Sequence, residues 1–399
     1  MYWKWGIGIC VIVLLVIGGF FLMPARNVKI VPRTNVAAPP VQPGSAILAA
    51  DATSSRTTSV FQNIVDAIFP RTILPQMQTP FDAAAYNAKL RFLAHLTATT
   101  STMDIATTPT ASSTATSTKK VIRPWPASLW PVTTAAYPNT GAILPMNRIV
   151  AYYGNLYSKQ MGVLGEYAPD QMLAMLASTT AMWQAADPAT PVVPALDYIV
   201  VTAQGTRQPD GMYRLRMPDS ETEKVLQMAD QIHGVVFLDV QVGLSNVQTE
   251  VPLLEKFLKL PQVHLSLDPE FSMKGGERPG TVIGTMDATD INFAAQYLAK
   301  LVRDNNLPPK MLVIHRFTSD MLTNYQSILP LPEVQIVMDM DGFGSAAKKV
   351  NTYLRTIMPE PIQFTGFKLF YKNDARADHL MTPEEVLKLT PSPSYIQYQ

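Results

Sequence analysis

From Arg148 onward, short apolar runs alternate with stretches of helical periodicity. Strand-like runs fall at 148–154, 191–202, 234–241, 263–270, 281–285, 310–317, 334–341 and 364–371. Between them the 3.6-residue period fits helices over 169–186, 219–232, 248–259, 290–305, 319–328 and 345–357, several opening on Pro, Asp or Ser. Alternating strands and helices of this length predict a parallel sheet, and eight repeats in about 250 residues predict a closed (β/α)8 TIM-type barrel. An open doubly wound sheet is the structural alternative. No GxGxxG or Walker-type loop follows any strand, which removes the commonest nucleotide-binding reasons for it.

The pattern is sharpest in Val263–Phe271, the fourth strand of the eight. Alternation puts Val263, Leu265 and Leu267 on one face and His264, Ser266, Asp268 and Glu270 on the other. In a barrel the polar face is the lumen, and Asp268-Pro269-Glu270 falls at the C-terminal rim, where such folds carry their chemistry. Other strand ends carry polar groups on the same parity: Asp239 and Gln241, His315, Asp339 and Asp341, and Lys368. Polar groups inside a barrel are costly unless paired, whereas at the rim they can be solvated and used. Paired carboxylates flanking a cleft suit glycosidic cleavage, one protonating the leaving oxygen and the other serving as nucleophile or base. The expected acid is Glu270, next to Phe271, in a position dry enough to raise its pKa. Asp268, Asp239 or Asp341 is the charged partner. Gln241, His315, Asp339, Asp341, Lys368 and Tyr153 are expected to bind substrate. Tyr152, Tyr153 and Tyr371 suit stacking on sugar rings, with ordinary packing as the alternative.

Composition narrows the partners. The chain has 399 residues, a net charge of +1 and 16% charged residues, which argues against a nucleic-acid surface. Its single cysteine, Cys10, excludes an intrachain disulfide and a cysteine-based metal site. His264, Asp268, His315, Asp339 and Asp341 could in principle supply a metal site. HxxxH, HExxH and EF-hand spacings are absent, so no metal and no cofactor is assigned.

Ahead of the barrel the texture changes. Gly6–Met23 is uncharged and about long enough to cross a bilayer, with Tyr2, Trp3, Lys4 and Trp5 before it. Residues 1–25 read as an uncleaved transmembrane signal anchor, with a cleaved signal as the alternative. Residues 26–58 are a Pro/Ala/Ser/Thr-rich tether. Residues 59–96 are a helical segment, with helices at Ser59–Phe69 and Phe81–Leu96, and 97–120 is a Ser/Thr-rich linker. The barrel domain spans 121–399.

The ordered string ALDYIVV, FLDVQVG, LSLDPEF, PGTVIG, LVIHRF, MDGFG and GFKLFY, across 148 to 371, resembles a group of exported, lipoprotein-like bacterial proteins of uncharacterised activity. Its barrel is similar to glycoside-hydrolase-like (β/α)8 domains, and Asp268 with Glu270 resembles the strand-borne Asp-x-Glu of several hydrolase families. Together these features predict a membrane-anchored, extracytoplasmic barrel that acts on or binds a cell-envelope polysaccharide. The alternatives are a non-catalytic envelope-binding barrel and a metal-dependent hydrolase.

Overall fold

The computed structural model describes residues 81–96, 129–132 and 135–399. Eight strands run around a closed ring: β1 (Arg148–Gly154), β2 (Val192–Ala203), β3 (Val235–Val240), β4 (Val263–Leu267), β5 (Lys310–Arg316), β6 (Val334–Met340), β7 (Phe364–Leu369) and β8 (Tyr395–Tyr398). Each pairs in parallel with its neighbours, and β8 closes onto β1 through Ile149↔Tyr395 to Tyr152↔Tyr398. This is the (β/α)8 barrel that the alternation predicts.

Two predicted elements differ. Residues 281–285 are not a strand, because β4 pairs directly with β5 through Leu265↔Leu312 and leaves no slot between them. A parallel crossover needs a dozen or more residues, and the ten residues of 271–280 contain three glycines and a proline. The missing strand is β8, so Val263 still opens the fourth strand while His315, Asp339 and Lys368 move to the fifth, sixth and seventh. Residues 319–328 form two short 3₁₀ turns and a two-residue strand rather than a helix.

The helices that matter here are α1 (Ala83–Leu93), α2 (Pro169–Ala186), α3 (Asp219–Gln231), α4 (Ala288–Asn305) and α5 (Ala346–Thr352). Outward strand residues such as Leu265, Leu267, Leu312 and Ile314 pack under them as the main core. The lumen has a separate core, with Val193, Val235, Phe237, Met311 and Val313 buried together. Tyr86 of α1 joins that inner cluster with Ile143 and Leu144. Thus α1, capped by Asp82 on Ala84 N and Ala85 N, docks at the N-terminal end of the lumen rather than on the outer wall. Among the described residues no helix is long and apolar enough to cross a membrane. The apolar run Gly6–Met23, the tether, the helix expected at Ser59–Phe69 and the linker at 97–120 lie outside the described residues.

Candidate active site at the barrel mouth

The lumen changes character along its axis. Its N-terminal half is mainly apolar, with buried His264 and Gln335 as exceptions, and towards the C-terminal ends of the strands the inward positions become Tyr153, Asp197, Asp239, Ser266, His315, Asp339, Lys368 and Gln397, all buried. The two-residue period makes this possible, since four of the charged or titratable residues follow two places after an apolar lumen residue on their strand: Ala195 then Asp197, Phe237 then Asp239, Val313 then His315, Val337 then Asp339.

Two interlocked sets result. In one, from β1, β3, β5 and β7, the Tyr153 hydroxyl donates to Asp239 Oδ2 at 2.9 Å. Lys368 Nζ stands 3.7 Å from the Tyr153 ring centroid, and His315 Nε2 lies 3.8 Å from Asp239 Oδ1. In the other, Asp197 Oδ2 accepts from Tyr395 at 2.7 Å, Gln397 at 2.7 Å and Ser266 at 2.9 Å. His315 Nδ1 joins the sets at 3.1 Å from Asp339 Oδ2 and 3.7 Å from Asp341 Oδ2. Gly366 makes room for Asp339, because a Cβ there would stand 2.5 Å from its Oδ1.

At the rim the geometry departs from a continuous strand. β4 ends at Leu267, and Asp268 caps a 3₁₀ turn over Pro269–Phe271, its Oδ1 accepting from Glu270 N at 3.2 Å. The carboxyls of Asp268 and Glu270 are therefore not two-apart neighbours on one strand face. Asp268 is 3% exposed and is reached by Gln241 Nε2 at 3.3 Å, whereas Glu270 is half-buried. Residues 281–285 lie across this turn. Gly284 N donates to Glu270 O at 2.6 Å, and a Cβ on Gly284 would stand 2.6 Å from the carbonyls of both Glu270 and Pro269.

Carboxyl groups outnumber the cations near them. Lys368 bonds Asp341 at 3.1 Å. Arg316 is engaged outside the wall by Glu360 at 2.6 Å, and Arg278 is exposed. Removing carboxylates from water disfavours their charged form. Burial, with the charge of Asp197 added, drives Asp239 well above the usual range. Burial, with the charge of Asp239, does the same to Asp268. Burial raises Asp197 and brings Asp339 to about 7, against the pull of Lys368. Glu270 also rises to about 7, first by burial and then by the charge on Asp341. Burial and then Lys368 push His315 down to about 4, so it is neutral at pH 7. For Lys368 burial acts downward, but Asp341, Asp268 and Asp339 outweigh it and its pKa stands above the ordinary lysine value. A lysine held that firmly as a cation suits charge stabilisation and not attack on a carbonyl.

The structure thus gathers all the predicted site residues at one end of the barrel, at different depths. Glu270 and Asp341 reach partial exposure, while Asp239, Gln241, Asp268, His315, Asp339, Lys368 and Tyr153 lie beneath them at 4% exposure or less. Asp239 and Asp268, expected as ionised partners, sit where burial favours their neutral form. Tyr152 faces α2, its hydroxyl 2.8 Å from both Thr179 and Tyr371. His264 lies deeper, its Nδ1 accepting from Met311 N at 3.1 Å. Among the described residues no group of three or more His, Cys, Asp or Glu is placed to hold a metal ion. Asp197, Tyr395 and Gln397 escape sequence reasoning, although Asp197 is the one acid in the β2 run and shares the parity of Val193 and Ala195.

No family model matches the chain, and no curated protein matches it. A solved structure, GH26C from a Muricauda species, is similar over 66% of this chain and 75% of its own, at 10% identity and a TM-score of 0.26.

Proposed function

We propose that this barrel is a glycoside-hydrolase-like protein that acts on a cell-envelope polysaccharide, held at the membrane by the apolar segment Gly6–Met23. The observation that carries the reading is Glu270, a half-buried carboxyl at the mouth with its pKa raised to about 7 by burial and the charge of Asp341. Such a group keeps a proton at neutral pH for a leaving glycosidic oxygen. In this reading Asp341, bonded by Lys368 at 3.1 Å, is its partner and serves as nucleophile or base. Asp239, Asp268, His315 and Asp339 beneath them fix positions and set the local field, as a buried supporting layer does in designed and natural sites.

The near-complete burial of that lower layer favours a second reading, in which the mouth binds a glycan without cleaving it. One experiment separates them. Full-length wild type, Glu270→Gln and Asp341→Asn are incubated with purified envelope polysaccharide, and both reducing-end release and binding are measured. Hydrolysis lost about 100-fold or more in both variants, with binding kept, is the expected outcome. Binding without turnover in wild type selects the second reading, and neither binding nor turnover sinks both.

A further inference from the structure

The lumen holds two buried histidines whose surroundings differ in one respect. His264 Nδ1 accepts from the amide of Met311 at 3.1 Å. An amide N–H can only donate, so that nitrogen is bare and the single proton of the neutral ring is fixed on Nε2. His315 instead stands between carboxyls on both sides. Its Nδ1 lies 3.1 Å from Asp339 Oδ2, and its Nε2 lies 3.8 Å from Asp239 Oδ1. Neither Nε2 nor Asp239 Oδ1 has a hydrogen-bond partner among the described residues, and an approach of about 1 Å joins them. The other oxygen of Asp239 is already taken by the Tyr153 hydroxyl at 2.9 Å.

A neutral imidazole has one N–H and one bare nitrogen. Two carboxyls flanking it are therefore both matched only when one is protonated and the other is a carboxylate. Two arrangements meet that condition. In the first, Nδ1–H donates to the Asp339 carboxylate and protonated Asp239 donates to Nε2. In the second, protonated Asp339 donates to Nδ1 and Nε2–H donates to the Asp239 carboxylate. Passing from first to second, the Asp239 proton moves to Nε2 as the Nδ1 proton moves to Asp339, and no proton enters or leaves. The neighbours set the balance. Burial raises both carboxyls; beyond that, the charge of Asp197 favours a proton on Asp239, while Lys368 and Lys349 favour a carboxylate at Asp339. Asp341 Oδ2, bonded by Lys368, lies 3.7 Å from Nδ1.

We propose that His315 is a proton relay through which Asp239 and Asp339 share one acidic proton across the lumen, the ring exchanging tautomer as that proton changes side. The relay adds or withdraws a negative charge beside Asp341 and Lys368 without bringing any of its three side chains into water. It holds whatever the mouth binds.

The test uses the full chain in nanodiscs with isotope-labelled histidine rings, read by nitrogen NMR, where protonated and bare ring nitrogens resonate far apart; His315→Gln identifies the His315 signals. Above about pH 7 the wild-type ring should be neutral with its proton on Nδ1, the first arrangement. Below that pH Asp339 is protonated, and since its Oδ1 has no partner among the described residues its proton finds an acceptor at Nδ1, so the ring proton should move to Nε2. His264 should keep its proton on Nε2 throughout. Asn has the shape of a protonated acid and presents an N–H, so Asp239→Asn should hold the His315 proton on Nδ1 at every pH and Asp339→Asn should hold it on Nε2. A packing role for His315 does not produce opposite tautomers in the two variants. One unchanging tautomer in wild type, or the same tautomer in both variants, overturns the relay. A doubly protonated ring near neutral pH overturns it as well and makes His315 an ion-pair partner. Where a variant loses the His264 signal, and with it the fold, the wild-type titration alone decides.

Discussion

At the scale of single residues, the site is shaped by carboxyl groups that hold protons because they are buried. Asp339 illustrates the cost. Its pKa rises from 3.8 to about 7 on folding, so between these values the folded chain keeps a proton that the unfolded chain releases. The stability associated with that proton is complete below about pH 4 and is lost as pH rises through about 7. Asp339→Asn keeps the shape and removes the titration, so the difference in stability between variant and wild type should move in the variant's favour by on the order of 2 kcal/mol from pH 5 to pH 8. Urea unfolding midpoints at the two pH values check this, and parallel curves would refute it. His315 titrates in the opposite sense, with its pKa lowered to about 4, and its contribution is lost as pH falls through about 6.5 towards 4.

Single elements decide whether Glu270 stays where it is. The 3₁₀ turn that carries it is held from below by Asp268 Oδ1 and from outside by the loop 281–285, through Gly284. Gly284→Ala would drive a methyl group against two carbonyl oxygens at 2.6 Å, so the turn must shift and Glu270 must move towards water. Carbodiimide labelling of Glu270, followed across pH by mass spectrometry, should then show its midpoint fall from about 7 towards 4.5. An unchanged midpoint would mean that the loop merely covers the turn. This loop also shows how local composition misleads. Thr281-Val282-Ile283 is as β-branched as any strand in the chain, yet Val282 and Ile283 are 48% and 50% exposed. Only four residues form β8, whose Tyr395 and Gln397 turn inward to Asp197 while Ile396 and Tyr398 join the outer core.

For the whole molecule, the barrel presents two unlike ends. Tyr86 of α1 closes the apolar end, and the acid-rich end opens at Glu270 and Asp341. The membrane attachment proposed for this chain rests on the apolar run Gly6–Met23. A reporter that is active only outside the cytoplasm, fused after Gln399, should be active in intact cells, and the protein should stay with membranes through alkaline extraction. Cytoplasmic reporter activity would exclude an envelope polysaccharide as the substrate.

The amino-acid sequence by itself determined the barrel and the inward face of β3 to β7. Both follow from periodicity, two residues for strands and 3.6 for helices, and that information is local. Hence Asp239, Asp268, His315, Asp339 and Lys368 could be assigned to the lumen from parity alone. Tertiary structure decided how deep each lies, which carboxyl keeps its proton, and that Lys368 bonds Asp341 at 3.1 Å. It also decided that β8, rather than 281–285, closes the ring. Burial and pairing depend on which strands are neighbours around the barrel, and ring closure joins residues as far apart in sequence as Tyr152 and Tyr398, a relation that no local pattern encodes.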